Sequence, residues 1–155
     1  MGLDKDLREF VELLNAKGVE FLVIGAHALA FHALPRYTKD LDLFIGTSRN
    51  NAERVAQALA EFEGVRRFEP DDFLDPDHFV QIGNEPNRSD LLNSISAVSF
   101  EQAWANRVQG ALDGIPVSFI GLDDYLTNKR AAGRPQDLAD AHRAEEIASK
   151  KRNEQ

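Results

Sequence analysis

Apolar residues recur at helical spacing from Leu3 to Lys17, with Leu7, Phe10, Val11, Leu13 and Leu14 marking the pattern. Asp4 and Asp6 stand in the first turn, where the helix dipole favours anions, and Gly18 suits the stop. Phe21-Leu22-Val23-Ile24 is a continuous apolar run too short for a helix, and it predicts a strand buried on both faces. Gly25 closes that strand, and Ala26 to Ala33 has helix-forming composition until Pro35 breaks it. Lys39 to Ile45 alternates, with Asp40 and Asp42 on one side and Leu41, Leu43 and Ile45 on the other. That is the pattern of a second strand.

Further along, Asn50 to Phe62 reads as a helix with Val55, Ala58, Leu59 and Phe62 on one face. Glu69 to Asp77 is acidic, holds two prolines and predicts a surface loop. His78 to Ile82 and Ser89 to Leu92 are short strand candidates separated by the turn-rich Gly83-Asn84-Glu85-Pro86-Asn87. Phe100 to Arg107 is a short helix carrying Trp104. Gln109 to Ile120 reads as a hairpin around Asp113-Gly114. Leu122 to Ala132 and Pro135 to Ser149 are helices, with Pro135 near the first position of the second. Lys150 to Gln155 is a charged tail expected to fray. Helices and short strands in this order predict an α/β (α+β) fold, a mixed β-sheet flanked by helices, over a single domain of residues 1–149.

With 155 residues the chain is one domain's length, able to bury a proper core. The 43% apolar and 28% charged residues exclude a disordered chain. With no cysteine, a disulfide framework, a thiolate metal site and a Cys nucleophile are excluded together, which fits a reducing cytoplasm. No apolar run approaches the roughly 20 residues of a membrane span, and Met1 to Asp6 is charged and mixed, unlike a secretory leader. The net charge of −8 argues against tight non-specific binding to nucleic acid, which depends on Lys and Arg displacing counterions from phosphates. Arg66-Arg67 and Lys150-Lys151-Arg152 are the basic clusters, and both read as solvated surface. His27 and His32 lie five apart, off a common helix face, so packing or surface roles suit them better than a shared metal. Trp104 and the ten phenylalanines read as core.

The chemistry is concentrated between Phe21 and Phe44. Alternation on a strand puts Asp40 and Asp42 on one face with Cα atoms about 6.5–7 Å apart. Adjacent carboxylates repel unless a cation lies between them, and oxygen-only ligands with open positions suit Mg²⁺ or Mn²⁺. Gly25, at a strand end that opens a helix, exposes backbone N–H groups at the positive end of a helix dipole, where phosphates rest. Arg36 is placed to neutralise phosphate charge. Asp90 is a third carboxylate; if its strand adjoins the pair, it completes the metal site or takes the proton of an attacking hydroxyl. Lys129, Arg134, Asp137 and Asp140 also suit helix ends, where caps and ion pairs explain them. Walker, Gly-x-Gly-x-x-Gly, Gly-x-Ser-x-Gly and His-Glu-x-x-His motifs are absent.

This layout resembles the nucleotidyltransferase superfamily, the fold of DNA polymerase beta and of aminoglycoside nucleotidyltransferases. Gly25 matches the family's first turn glycine, Asp40 and Asp42 its acidic pair, and Asp90 its third acid; Ala26-His27 stands where a second Gly or Ser is usual. A closer resemblance is to small prokaryotic nucleotidyltransferase-like proteins carrying Arg-x-Thr-x-Asp-hydrophobic-Asp, here Arg36-Tyr37-Thr38-Lys39-Asp40-Leu41-Asp42. Those proteins often carry a later block matched by Lys129, Ala132-Gly133-Arg134-Pro135, Asp137 and Asp140. Several are toxins of abortive-infection toxin–antitoxin pairs. The resemblance spans about Phe21 to Asp140.

It implies a Mg²⁺- or Mn²⁺-dependent, ATP- or other NTP-binding transferase that moves an NMP onto a hydroxyl of a tRNA, a protein or a small molecule. Asp40, Asp42 and Asp90 are then the catalytic and metal residues, and Gly25, Ala26, Arg36, Thr38 and Lys129 the nucleotide-binding ones. An antitoxin partner or a homodimer and a cytoplasmic location go with it. The alternative is a catalytically inactive nucleotidyltransferase-like protein that acts by binding.

Overall fold

The structure, a computed structural model, describes residues 3–33, 40–84 and 87–154. Six strands form one mixed sheet in the order β3-β4-β2-β1-β6-β5. The central strands are β1 (Phe21–Ile24) and β2 (Leu41–Ile45), which pair antiparallel. On one side β4 (Asn87–Leu92) runs parallel to β2 and is paired antiparallel with β3 (Val80–Asn84) at the edge. On the other, β6 (Ile115–Phe119) runs parallel to β1 and closes a hairpin with β5 (Val108–Leu112) around Asp113-Gly114. The run Phe21 to Ile24 is buried at every position, as its unbroken apolar character requires of a strand covered on both faces.

Helix α1 (Lys5–Ala16) is capped by Asp4, whose side chain accepts from the Asp6 backbone N–H, and α3 (Arg49–Glu63) by Ser48. These two helices pack together, burying Leu7, Phe10, Val11 and Leu14 of α1 and Val55, Ala58 and Leu59 of α3. Asn51 ties α3 to the sheet by donating to the carbonyls of Glu20 and Gly46 and accepting from the Glu20 N–H. Helix α2 (Gly25–His32) lies against β1 and β2 and touches α6 (Pro135–Asn153), which is packed on α5 (Leu122–Ala132). The short α4 (Phe100–Ala105) is capped by Ser99 and joined to α5 by Asp124, which accepts from Gln102 and Asn106.

Several expectations change. Glu69 to Asp77 contains a 3₁₀ turn, Pro70–Phe73, because Phe73 anchors it in the core. β3 begins at Val80 and continues through Gly83, so His78 and Phe79 precede the strand. Asp40 lies just before β2 rather than in it. The tail expected to fray continues α6 as far as Asn153, its basic residues Lys150, Lys151 and Arg152 suiting the negative end of the helix dipole. Two of the ten phenylalanines leave the core: Phe31 is 38% exposed and Phe79 55%. Trp104 is half-buried, covered on one side by the Arg107 guanidinium 4.1 Å from its ring centre. Arg66 and Arg67 do lie on the surface, paired with Glu69 and Glu63. No helix of the described residues is long and apolar enough to cross a membrane.

Candidate functional site

The register of the sheet decides which acids meet. Asp42 of β2 stands directly beside Ile24 of β1 on one flank and Asp90 of β4 on the other, and Asp90 faces Gln81 of β3. Paired positions point to the same face of a sheet, so Ile24, Asp42 and Asp90 form a row across three strands. Asp40 lies two residues back on the Asp42 face, with 44% of its side chain exposed. Parallel pairing carried back from Asp42 and Asp90 brings Asp40 level with Arg88. The three sequence-predicted acids are therefore brought together at one end of the central strands.

At the end of β1 the chain turns into α2 through Gly25, whose φ of +67° lies in the left-handed region. A β-carbon there would stand 2.5 Å from Asp42 Oδ2 and 3.2 Å from Asp42 Cβ and Cγ. The glycine thus serves the turn and also leaves room for the acid. The first turn of α2 contains no acidic residue, and its leading backbone N–H groups have no partner within the helix. Ala26 is the second residue of that turn. His27, the third, is buried; burial holds its imidazole below the ordinary pKa, and its Nε2 has no hydrogen-bond partner. His32 is bonded through Nε2 to the Ile120 carbonyl oxygen at 2.6 Å. Neither histidine joins the acids.

Asp42 carries the electrostatic consequence. Burial first, then the charges of Asp90 and Asp40, push its carboxyl from 3.8 up to about 6, and Lys129 and Arg88 offset this only in part. Arg88 Nη2 lies 3.8 Å from Asp40 Oδ2, and its Nε lies 3.6 Å from Asp90 Oδ1. Both distances exceed a good hydrogen bond, so the guanidinium acts between the two acids chiefly through its charge.

The opposite wall comes from α5 and α6. Lys129 is 16% exposed, with Nζ 3.4 Å from Asp137 Oδ1. Asp137, buried in the first turn of α6, accepts from the Arg134 backbone N–H at 3.3 Å and from Arg134 Nε at 2.7 Å. These contacts, the Arg134 bonds foremost, hold its carboxyl below the usual range. The cap expected for Asp137 is present, and Lys129 is more than a solvated helix end. Between the walls lies an open cleft of about 650 Å³ lined by Gly25, Asp42, Asp90, Lys129 and Arg134, and also by Phe79, Leu92 and Ile95. Arg36 and Thr38 lie outside the described residues.

A profile described as "Nucleotidyl transferase of unknown function (DUF2204)" matches residues 3–154. The chain belongs to this nucleotidyl transferase family. Its fold is similar to the crystal structure of a Thermotoga maritima protein provisionally named a nucleotidyltransferase, with a TM-score of 0.52 and 17% identity over 96% of this chain and 91% of that one. It is also similar to an antigenic nucleotidyltransferase-like protein from Paracoccidioides brasiliensis, with a TM-score of 0.47 and 16% identity over 93% of this chain and 78% of that one. No curated protein matches it. At such identities the structural likeness shows the fold alone.

Two features of this nucleotidyl transferase chain escaped the sequence reading. Arg88 alternates with Asp90 along Arg88-Ser89-Asp90, and starting the strand at Ser89 left it out. Phe79 was read as core because aromatic residues usually are, and its position just before an edge strand was not legible without the register.

Proposed function

We propose that this cleft binds an NTP and that the chain transfers its nucleotidyl group to an acceptor hydroxyl. The observation that supports this most is the row Ile24–Asp42–Asp90 across adjacent strands, with Gly25 following Ile24 and with Gly25, Asp42, Asp90 and Lys129 all lining one cleft. The leading N–H groups of α2 and the Lys129 ammonium suit the triphosphate. Asp90 accepts a hydrogen bond from the acceptor hydroxyl and takes its proton as the oxygen attacks the α-phosphorus in line. The new P–O bond forms as the bond to the bridging oxygen breaks, and pyrophosphate leaves with the electron pair.

The fold family implies Mg²⁺ or Mn²⁺, and the donor set fits such an ion. Among the described residues no three His, Asp or Glu side chains form a ready-made cage. Mg²⁺ needs none, because one or two carboxylates plus substrate phosphates and water satisfy it. Asp42, whose carboxyl is pushed up first by burial and then by the charges of Asp90 and Asp40, would hold the ion with those two acids. When bound, the ion supplies charge neutralisation on the phosphates.

The test is a screen with α-labelled NTPs and cell extract, using the Asp42→Ala protein as control. Label transferred by the wild type and lost in the variant supports the reading. A second reading, in which the protein binds without turnover, draws on Ala26-His27 at the turn and on Arg88 lying against Asp40 and Asp90. NTP binding with no transfer to any acceptor would favour it, as would a stable complex with an antitoxin-like partner.

A further inference from the structure

Strand β5 ends the sheet on the side away from the acids, and among the described residues it pairs with β6 alone. Native sheets commonly blunt such an edge with a charge, a proline or a bulge. Val108-Gln109-Gly110-Ala111-Leu112 carries no charge and no proline, and its register with β6 is unbroken.

The turn tells which backbone groups face outward. Asp113 and Gly114 form a two-residue loop with φ of +50° and +82°, so the flanking pair Leu112–Ile115 is hydrogen-bonded. Hydrogen-bonded and open pairs alternate from there, which leaves Ala111 and Gln109 in open pairs with Pro116 and Ser118. Pro116 agrees, since it has no N–H to give. The N–H and C=O groups of Gln109 and Ala111 therefore point out of the sheet edge, and both residues are exposed.

The edge also carries apolar surface. Phe31 of α2 stacks on Phe119 with ring centres 4.0 Å apart and planes 4° apart. It covers Gly110 so closely that a β-carbon there would stand 2.7 Å from Phe31 Cε1. Val108 pairs with Phe119 and so shares this face, and Phe31 and Val108 are each 38% exposed.

The residues just outside the strand decide the partner. Arg107 stands three residues before Gly110 and Asp113 three after it, both exposed. Both are oriented, Asp113 by Arg8 at 2.8 Å and Arg107 by the Trp104 ring. An antiparallel pairing of two copies about Gly110 sets each Arg107 level with the partner's Asp113. It also sets Gln109 level with the partner's Ala111, and their outward groups match for four hydrogen bonds across the seam. Gly110 meets its own copy at the dyad, in a close pair with no side chain to accommodate. Centred on Gln109 or Ala111 instead, the same edge would set Arg107 level with Ala111 or Ile115, and the charge match is lost.

We propose that two copies of this chain join through β5, antiparallel about Gly110, merging two six-stranded sheets into one. The opposite charges at each end of the seam let two chains of net charge −8 meet there. The Phe31 rings flank the dyad. The seam lies beyond β6, so the cleft of each copy stays open. A single strand pair buries little surface, and the dimer is accordingly weak and concentration-dependent.

Sedimentation velocity at about 0.1 mM tests this, with the wild type expected to be a reversible dimer. Ala111→Pro removes an outward N–H without touching the β6 ladder, and is expected to weaken the dimer about tenfold with an unchanged circular dichroism spectrum. Arg107→Glu and Asp113→Lys each set like charges at both ends of the seam, and each is expected to weaken the dimer about fivefold. Mixed together, the two charge variants restore opposite pairs at both ends, and the mixture is expected to dimerise within about twofold of the wild type. Misfolding of either variant would not give that recovery. A monomeric wild type overturns the proposal, even where another protein's strand adds to this edge. So does a dimer indifferent to Ala111→Pro, or a mixture no tighter than the charge variants alone.

Discussion

Gly25 and Asp42 share a space that stays open only because Gly25 has no β-carbon: an added Cβ would stand 2.5 Å from Asp42 Oδ2. Gly25 opens α2 and Asp42 belongs to β2, and the turn of one is shaped around the carboxylate of the other. Gly25→Ala must hold φ near +67°, at a cost of about 1–2 kcal/mol, and must also displace the acid. Thermal unfolding is expected to drop by roughly 3–6 °C. NTP affinity, measured by calorimetry, is expected to fall about tenfold or more if even one charge-assisted phosphate contact is lost. A lower melting temperature with unchanged affinity would confine Gly25 to the turn.

Asp42→Asn removes a charge that the fold tolerates poorly. In metal-free protein the native Asp42 keeps its proton up to a pH of about 6, whereas the unfolded chain releases it near 3.8. Between these values the native state binds more protons, so this group makes stability fall as pH rises, and the penalty is complete above pH 6. The free-energy equivalent has a ceiling of ~3 kcal/mol, and solvent screening brings the expected gain for Asp42→Asn at pH 8 in EDTA to about 1–2 kcal/mol. At pH 4 the two proteins are expected to melt together. Adding Mg²⁺ is expected to raise the melting temperature of the wild type and leave that of Asp42→Asn nearly unchanged.

Arg88 neutralises the acids from within, and a divalent ion must compete with it. Arg88→Ala is expected to bind Mn²⁺ more tightly by roughly fivefold to tenfold, about 1 kcal/mol of relieved competition. Electron paramagnetic resonance of free Mn²⁺ measures this directly. Weaker binding in the variant would mean that the guanidinium orients the carboxylates instead.

The sequence carried the local parts of this arrangement. Phe21 to Ile24 announced a fully buried strand, the alternation around Asp42 announced a half-buried one, and Gly25 announced the turn, because each depends on neighbours a few residues away. That Asp90 adjoins Asp42 rested on resemblance, since strand order is a long-range property that spacing does not encode. Phe79 and Arg88 were missed for the same reason. Phe79 is an ordinary core residue until β3 is known to be an edge, and Arg88 is an ordinary surface cation until β4 is known to run beside β2. The continuation of α6 through Lys150-Lys151-Arg152 was obscured by their charge, which suits a helix end as well as it suits a frayed tail.

His27 gives a second pH dependence, opposite in sign to that of Asp42. Its pKa in the fold lies below 6.5 because it is buried, whereas the unfolded chain takes up a proton at 6.5. The unfolded state therefore binds more protons as pH falls below 6.5, and stability is lost in that direction until the folded value is passed. His32, also lowered by burial, acts with the same sign. In the Asp42→Asn background, which removes the opposing contribution of that acid, melting curves between pH 7 and pH 5 are expected to shift downward with His27 present and less steeply for His27→Leu. Parallel slopes would assign the effect to other groups.

Titration calorimetry of the four NTPs, with and without Mg²⁺, against the wild type and the Asp40→Ala/Asp42→Ala protein tests the nucleotidyl-transfer site most directly. The expected result is Mg²⁺-dependent binding of at least one NTP to the wild type that the double variant loses. Equal binding by both proteins, or none by the wild type for any of the four, would contradict it.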